Sequence, residues 1–261
     1  MAVLSAGRDT AELSPPIPIN NTILSQYGIK LRKRQLSIVA SAPGVGKSLF
    51  ARNIAAHTRL ESLYFSADSD EWTVMQSVLA ILTNRQLLDV EHKLDNPEPA
   101  WTDYFNRQFL RVNHVDWAYS DGDIDIDYIL RRVQAHEAVW DMLPEVIYVD
   151  NVLDAVDDED YKEVRRFCRQ LRKLARTTEA HVMGLHHVNG RKEDGDQPIR
   201  LSDLLGKLGK VPEVVLGLSK LGDGKLMLTV PKNRGGPHDL RITLPIDYST
   251  GYIGGFVHEQ A

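Results

Sequence analysis

Residues 37–57, SIVASAPGVGKSLFARNIAAH, constrain the fold more than any other part of the chain. They pass from a short apolar run through a loop of small residues into a helical pattern. Phosphate binding needs inward-turned backbone N–H groups, a helix N-terminus, a lysine for the outer phosphates and a hydroxyl group for magnesium. A strand, such a loop and a helix in this order predict a nucleotide-binding site in an α/β sheet.

The loop itself supplies each of these groups. Gly44 and Gly46 permit the tight turn, Lys47 is the cation and Ser48 is the hydroxyl for Mg2+. The pattern G-x-x-x-x-G-K-[ST] is missed only at its first position, where Ser41 stands. A chance glycine turn before a helix is the alternative, but the flanking strand and helix argue against it. We predict that ATP with Mg2+ binds to Ser41, Ala42, Pro43, Gly44, Val45, Gly46, Lys47, Ser48 and Leu49.

From Leu36 onward, short β-type runs alternate with helical patterns. This alternation predicts a parallel sheet covered by crossover helices and closed by antiparallel strands. The predicted helices are 47–58, 71–89, 125–140 and 159–178. The predicted strands are LSIVAS, SLYFSA, FLRVNH, VIYVDN, HVMGLHH, EVVLGLS, KLMLTV and RITLPI, and the candidate loops are 92–107, 118–124, 154–160 and 189–200.

Composition narrows the class of protein. The 261 residues are 43% hydrophobic, which is enough for one compact domain, and the net charge of -5 provides no global attraction to nucleic acid. The single cysteine, Cys168, excludes an intramolecular disulfide and is expected to be a small buried thiol. No apolar run approaches the ~18 residues of a membrane span, and the first residues lack a signal-peptide pattern. These features predict a cytoplasmic protein with no membrane partner.

The first 27 residues differ from the rest. Pro15, Pro16 and Pro18 lie among polar residues, a composition that predicts little burial. We therefore divide the chain into an N-terminal arm, 1–27, and an ATPase domain, 28–261. The arm is expected to be flexible or to pack on a neighbouring subunit.

Two carboxylates follow predicted strands. Asp150 follows the apolar run of VIYVDN, which is where a P-loop protein places the acid that holds magnesium. Asp68 follows SLYFSA and is the candidate for activating the attacking water, whereas Asp70 fits a helix N-cap. An ordinary cap is also the alternative reading of Asp68.

Taken in order, these motifs resemble the C-terminal motor domain of DnaB-type hexameric replicative helicases, within the RecA-like ATPases. The resemblance extends from about Gly28 to about Ile253. It implies a RecA-like core and a magnesium-dependent ATP hydrolase. The matching segments are GIKLRKRQLSIVASAPGVGKS, YFSADS, VIYVDN, EVRRFCRQLRKLARTTEAHVMGLHHVNGR, LSDLLGKLGKVPEVVLGL and VPKNRGGPHDLRITL.

The last segment is similar to the Lys-x-Arg-x-Gly-Pro signature of that family. The resemblance implies that Lys232 and Arg234 reach the γ-phosphate of a neighbouring subunit, as a sensor and an arginine finger, in a ring that is a hexamer or a heptamer. A basic turn at the end of a β-hairpin is the alternative. Asp68 stands where the family has glutamate, and His187 where it has a γ-phosphate-sensing glutamine. An imidazole can donate the same hydrogen bond, although histidine charge changes near neutral pH.

The resemblance also implies contacts with single-stranded or forked DNA. Of the two loops that face the ring channel in this family, the one after Asp150 is acidic here. The loop after the sensor strand offers Arg191, Lys192 and Arg200 as phosphate contacts. The family's N-terminal helical collar has no counterpart in this sequence, and a bare motor core suits a phage or plasmid replication system.

Three functions remain open at this point. The first is a ring-shaped helicase or translocase, and the second is a RecA-like filament or loader that nucleotide switches. The third is a metal-dependent nuclease on the same core, suggested by Asp121, Asp123, Asp125 and Asp127. Helix capping by aspartate is the simpler explanation of that cluster.

Overall fold

The computed structural model describes residues 14–19, 22–58, 60–109, 115–119, 124–152, 161–188 and 194–256. Its helices are α1 (Ile23–Gln26), α2 (Lys47–Thr58), α3 (Glu71–Thr83), α4 (Leu87–Asp95), α5 (Pro99–Phe109), α6 (Ile126–Trp140) and α7 (Tyr161–Thr178), with 3-10 turns at Leu201–Asp203 and Leu205–Lys210. Its strands are β1 (Leu36–Ser41), β2 (Ser62–Ser66), β3 (Val115–Tyr119), β4 (Val146–Asp150), β5 (His181–His187), β6 (Val214–Gly222), β7 (Lys225–Asn233), β8 (Leu240–Asp247) and β9 (Tyr252–Ile253).

The strands form one sheet in the order β3-β2-β4-β5-β1-β6-β7-β8-β9. Pairing is parallel from β3 to β6 and antiparallel from β6 to β9. Strands β1, β2 and β4 are buried along their whole length, which is why their sequences are mostly apolar instead of alternating between apolar and polar residues. The predicted fold class, an α/β core with a mostly parallel sheet and antiparallel C-terminal strands, is confirmed.

Helix α7 corresponds to the predicted helix 159–178 and has one buried face and one charged face. The buried side chains are Val164, Phe167, Cys168, Leu171, Leu174 and Ala175. Burial raises the pKa of the Cys168 thiol to about 12, so it stays protonated. The charged face is not purely solvated, because Arg165 donates to the Gly206 carbonyl at 3.2 and 2.7 Å and ties a 3-10 turn to the helix.

The segment after β2 differs from the prediction. The predicted helix 71–89 ends at Thr83, because Asn84 adopts a left-handed conformation with φ 51° and caps it. The predicted loop 92–107 is largely helical, since α5 starts at Pro99, and proline is well tolerated at a first helical position. A small cluster of Leu79, Ala80, Val90 and Phe105 packs these helices together.

The predicted strand FLRVNH is wrong at its first residue. Phe109 ends α5, and β3 begins only at Val115, where it pairs with Ser62 of β2. Residues 110–114 lie outside the described residues. Phe109, the first residue of this run, belongs to a helix end, which a short apolar pattern does not distinguish from a strand.

The described part of the predicted arm packs on its own chain. Ile17, Ile19, Ile23 and Leu24 are buried in the main core. Ile17 N–H donates to the Leu31 carbonyl at 2.9 Å, which adds this segment to the domain by a backbone bond. The division at residue 27 remains a prediction, but the expectation of little burial is wrong for this stretch. Within the described ranges, every helix is too short or too polar to cross a bilayer.

Candidate nucleotide-binding site

The loop between β1 and α2 has the shape that phosphate binding requires. Gly44 and Gly46 have φ values of +66° and +119°, a region that favours glycine. A Cβ built on Gly44 would meet nothing within 4 Å, so open space lies above the turn. Helix α2 begins immediately afterwards, and its first N–H groups have no intrahelical partners. The loop is thus an open cradle suited to an anion.

Lys47 contacts one of the other predicted residues. Its side chain is 7% exposed, and Nζ lies 3.3 Å from Nδ1 of His187, at the end of β5. Because an ammonium group only donates, Nδ1 accepts and the imidazole proton is on Nε2. The second ring nitrogen is then a donor, which a γ-phosphate sensor would need.

Asp150 joins the phosphate loop to the next strands of the sheet. It is 2% exposed, it hydrogen-bonds with the Ser48 hydroxyl, and Tyr64 Oη donates to its Oδ2 at 2.8 Å. Burial raises the pKa of Asp150, while the Ser48 and Tyr64 hydrogen bonds and the charges of Arg52 and Lys47 oppose that rise. A hydroxyl and a carboxylate are the hard oxygen ligands that suit magnesium. Ser48 and Asp150 therefore fit the predicted metal role.

Asp68 lies at the same carboxyl end of the parallel strands, in the loop that follows β2. It is exposed, and the residues on either side of it are anchored. Ala67 N–H donates to the Asp150 carbonyl at 2.8 Å, and Ser69 N–H donates to Ser66 Oγ at 3.1 Å. Asp70 is the N-cap of α3, because its carboxylate accepts from Thr73 N–H at 2.8 Å. The predicted cap is confirmed, and Asp68 remains available for another role.

Lys232 and Arg234 lie at the other end of the strands, beside the amino end of β1. Arg234 N–H donates to the Glu213 carbonyl, and Glu213 N–H donates to the carbonyl of Leu36, the first residue of β1. The phosphate loop follows the last residue of β1, Ser41, about 16 Å further along the strand. Neither cation can reach the phosphate loop of its own chain without a large rearrangement.

The chain holds these two cations differently. Lys232 Nζ donates to the carbonyls of Gly209 and Pro212, both at 2.6 Å, and partial burial together with the Arg234 charge lowers its pKa to about 8. Arg234 is 52% exposed, makes a long ion pair of 4.0 Å with Glu213 and donates to the Lys210 carbonyl at 3.2 Å. Arg234 is therefore the cation with more freedom to contact something outside the chain.

The predicted DNA contacts are only partly described. Arg191 and Lys192 lie outside the described residues. Arg200 is exposed, and together with Arg241 of β8 it lines an open cleft beside the first 3-10 turn. Two cations on one cleft are compatible with a phosphate contact.

The acidic cluster is also described in part. Asp121 and Asp123 lie outside the described residues. Asp125 is the N-cap of α6 and accepts from Tyr128 N–H at 2.6 Å, while Asp127 lies in the first turn of that helix. The capping explanation is confirmed for Asp125. Within the described ranges, no group of three or more His, Cys, Asp or Glu is arranged to hold a metal.

Sequence reasoning missed several residues around the loop. Arg52 lies on α2 four residues after Ser48, a spacing that places both on one helix face and could have identified it. Tyr248 Oη donates to the Val45 carbonyl at 3.0 Å, and a Cβ on Gly195 would lie 2.6 Å from Val45 Cγ2. No local pattern predicts these last two contacts, because the residues that meet lie far apart in the sequence.

Comparisons with known proteins agree with this geometry. A family model described as an AAA domain matches residues 9–193. The Gene 65 protein of Mycobacterium phage L5 is 33% identical over 235 residues, which cover 86% of this chain and 85% of that protein. The Gene 65 protein of Mycobacterium phage D29 is 31% identical over 213 residues, or 77% of this chain and 89% of that protein.

Two solved structures share the fold. One, described as an ATPase domain, superposes with a TM-score of 0.78 at 15% identity, covering 97% of this chain and 95% of that one. A DnaB-like replicative helicase, solved for its interactions with primase, gives a TM-score of 0.77 at 14% identity and covers 97% of this chain and 65% of that one. At such identities the likeness concerns the fold alone.

The fold and the phosphate loop define a P-loop protein of the RecA-like class, and the predicted resemblance to the DnaB-type motor is confirmed for the fold. Because the AAA-domain model covers most of the chain and the relative from phage L5 is similar over most of its length, the chain belongs to the AAA domain family and to one sequence family with the Gene 65 proteins. These relatives support the predicted phage-encoded origin.

Proposed function

We propose that this protein is a magnesium-dependent ATP hydrolase that forms a ring on single-stranded DNA and acts as a helicase or translocase. The observation that carries the proposal is the meeting of Lys47, Ser48 and Asp150 beside one open phosphate loop. The solved neighbours described as a helicase and an ATPase domain support the choice of reaction class.

In this proposal each residue has one task. The loop amides and Lys47 bind the β- and γ-phosphates, and Ser48 and Asp150 hold the magnesium, which supplies charge neutralisation on the phosphate oxygens when bound. Asp68 orients the attacking water, and Nε2 of His187 donates to a γ-phosphate oxygen. These contacts act mainly by positioning and by electrostatic stabilisation of the transition state.

The residues at the amino end of the parallel strands support a subunit interface. Arg234 is half exposed and is remote from the loop of its own chain, so we infer that it serves the site of a neighbouring copy. Lys232 would act beside it, and its two carbonyl contacts fix its position. Supplying this charge in trans makes hydrolysis depend on assembly, and a hexamer or a heptamer would close the ring.

The DNA contacts complete the proposal. Arg191, Lys192 and Arg200, which follow the sensor strand in the sequence, would contact the sugar–phosphate backbone. Because few cations take part and the net charge is -5, binding should be modest, and it should weaken with salt with a shallow slope set by the small number of phosphate contacts.

A second candidate, a nucleotide-switched DNA-binding or loading factor, is favoured by one observation. Asp68 is exposed and has a shorter side chain than glutamate, so it would hold the water further from the phosphate than rapid turnover requires. Such a factor would bind DNA tightly with ATP but hydrolyse it slowly.

One experiment separates these candidates. ATP turnover is measured with and without single-stranded DNA, while light scattering follows the mass of the protein across the same titration. Turnover that rises with DNA and with ring mass supports the motor. Nucleotide-dependent DNA binding with little stimulated turnover supports the switch, and no nucleotide binding contradicts both.

A further inference from the structure

Arg52 is a buried cation with no assigned part in the proposed nucleotide site. Its side chain is 7% exposed, on the face of α2 that also carries Ser48. Its Nη2 donates to Ser69 Oγ at 3.4 Å, and its Nε is a buried donor without a hydrogen-bond partner among the described residues. A buried guanidinium loses hydration, so its position needs an explanation beyond packing.

The first part of the explanation is a link to the magnesium aspartate. Tyr64 Oη donates to Asp150 Oδ2 at 2.8 Å, and the guanidinium of Arg52 acts on the same Tyr64 hydroxyl both as a charge and as a hydrogen-bond donor. The tyrosine thus accepts from the cation and donates to the carboxylate. Each of the two buried charges is the counter-charge of the other, through one side chain.

The second part is a link to the loop that carries Asp68. Ser69, which accepts from Arg52, is the residue immediately after Asp68. Ala67, immediately before Asp68, donates its N–H to the Asp150 carbonyl at 2.8 Å. The three-residue segment around Asp68 is therefore tied to Asp150 at both ends, once through backbone and once through Arg52 and Tyr64.

We propose that Arg52 is a positioning residue, which with Tyr64 fixes the loop of Asp68 relative to the magnesium aspartate. We call the contacts of Arg52 with Tyr64 and Ser69, together with that of Tyr64 with Asp150, the brace. Its functional meaning rests on the proposed ATP hydrolysis, although the brace itself is a property of the nucleotide-free protein. Arg52 does not touch nucleotide in this proposal. It sets the distance between the residue that orients water and the residue that holds the metal.

The charge of Arg52 distinguishes a positioning role from a role in packing alone. The remaining buried positions of α2 are mostly apolar, with Phe50, Ala51, Ile54 and Ala55 fully buried. A methionine would fill a similar volume at position 52 without the desolvation cost of a charge, and such replacements of buried charges are often well tolerated. A role in packing alone therefore predicts that Arg52→Met is neutral.

The first test measures the brace without using activity. Hydrogen exchange of the Ala67 and Ser69 amides is compared between the full-length wild type and Arg52→Met, both free of nucleotide. We expect exchange at least about tenfold faster at both amides, and no change in β1. Arg85→Met is the control, because Arg85 is also an arginine with a side-chain hydrogen bond, to Asp89, but it lies on the α3–α4 connection. Unchanged exchange in a folded Arg52→Met protein overturns the proposal.

The second test separates positioning from binding. At saturating magnesium, Arg52→Met should lower kcat about tenfold and leave the affinity for a non-hydrolysable ATP analogue within about threefold. Tyr64→Phe should have a similar effect, and the double variant should be no worse than either single variant. Additive effects would mean that the two side chains do not act as one brace.

Two further comparisons keep the outcomes distinct. If Arg52→Met does not fold, Arg52→Lys replaces it, since lysine keeps the charge but cannot reach Tyr64 and Ser69 together, and loop exchange should still rise. If the wild type does not hydrolyse ATP, the proposed function fails, and the exchange measurements alone decide whether the brace exists.

Discussion

The two ends of the central sheet present opposite kinds of charged site. At the carboxyl end, Lys47 and Asp150 are buried and already in contact with other site residues. At the amino end, Lys232 is held by two backbone carbonyls, while Arg234 is half exposed, and both cations lie near the carboxylate of Glu213. The first end is assembled within the chain. The second has an excess of positive charge, which is what a site completed by the anion of a second copy would look like.

The largest expected effect concerns the assembled end. Lys47→Ala should abolish measurable ATP hydrolysis, because the loop would lose the cation that reaches the outer phosphates. Turnover by the purified variant measures this, with Lys33→Ala as the control, since Lys33 pairs with Glu145 on the surface at 3.5 Å. Near-normal turnover by Lys47→Ala would show that the loop is not the hydrolytic site.

The next effect tests the incomplete end. Arg234→Ala should lower turnover by about 10³-fold or more, the range known for arginine fingers, and leave nucleotide affinity nearly unchanged. Turnover and equilibrium nucleotide binding are measured on the same preparation. Arg176→Ala provides the control, because Arg176 is an exposed arginine in the last turn of α7, where the helix leads into the amino end of β5.

Mixing the two inactive proteins sharpens the comparison. A Lys47→Ala subunit retains its finger, and an Arg234→Ala subunit retains its phosphate loop, so mixed rings should recover turnover that neither protein has alone. A mixture that stays inactive, although light scattering shows mixed assembly, would place Arg234 in another role.

A smaller effect concerns the histidines near the two ends of β5. His181 Nδ1 donates to the Arg32 carbonyl and Nε2 accepts from Ser37, and His186 Nε2 donates to the Leu205 carbonyl. Burial lowers the pKa of both residues to about 4. The unfolded chain therefore binds more protons between pH 6.5 and pH 4, and stability is lost as pH falls through that window, by roughly 3 kcal/mol for each histidine. Asp150 acts in the opposite direction, because burial raises its pKa.

Urea unfolding at pH 7 and pH 5 measures this loss. His186→Gln should reduce the dependence on pH by about half, since one of the two protons no longer binds on unfolding. His238→Gln is the control, because His238 is 61% exposed. An equal pH dependence in wild type and His186→Gln would contradict the assignment.

The smallest effect concerns the contact between the phosphate loop and the segment after β5. Gly195→Ala should weaken nucleotide binding a few-fold, because its Cβ would lie 2.6 Å from Val45 Cγ2. Gly222→Ala is the matched control, since Gly222 also has a positive φ of 78° but a Cβ there would meet nothing within 4 Å. Both variants should lose about 1 kcal/mol of stability from backbone strain, and only Gly195→Ala should change nucleotide affinity. Equal nucleotide affinities in Gly195→Ala and Gly222→Ala would show that the contact with Val45 does not affect the shape of the phosphate loop.

Features that depend only on neighbouring residues can be predicted from the amino-acid sequence. The strand–loop–helix around Lys47 is local, and so are the Asp70 and Asp125 caps and the buried face of α7. Hydrophobic patterning was enough to predict the α/β class, since parallel strands under helices must be apolar on both faces. Local patterns predict the wrong structure at two places: Asn84 falls within the predicted helix 71–89 but ends α3, and Pro99 falls within the predicted loop 92–107 but starts α5.

Contacts between residues that are distant in sequence depend on how the whole chain packs. The contact of Tyr64 with Asp150, the contact of Tyr248 with Val45, and the burial of Ile17 and Ile19 join segments that share no local pattern. The same holds for the separation of Arg234 from the phosphate loop, which follows from strand order and register. Side-chain periodicity specifies which face of an element is apolar, but the partner of that face depends on packing of the whole chain, and for this reason the brace at Arg52 is visible only in three dimensions.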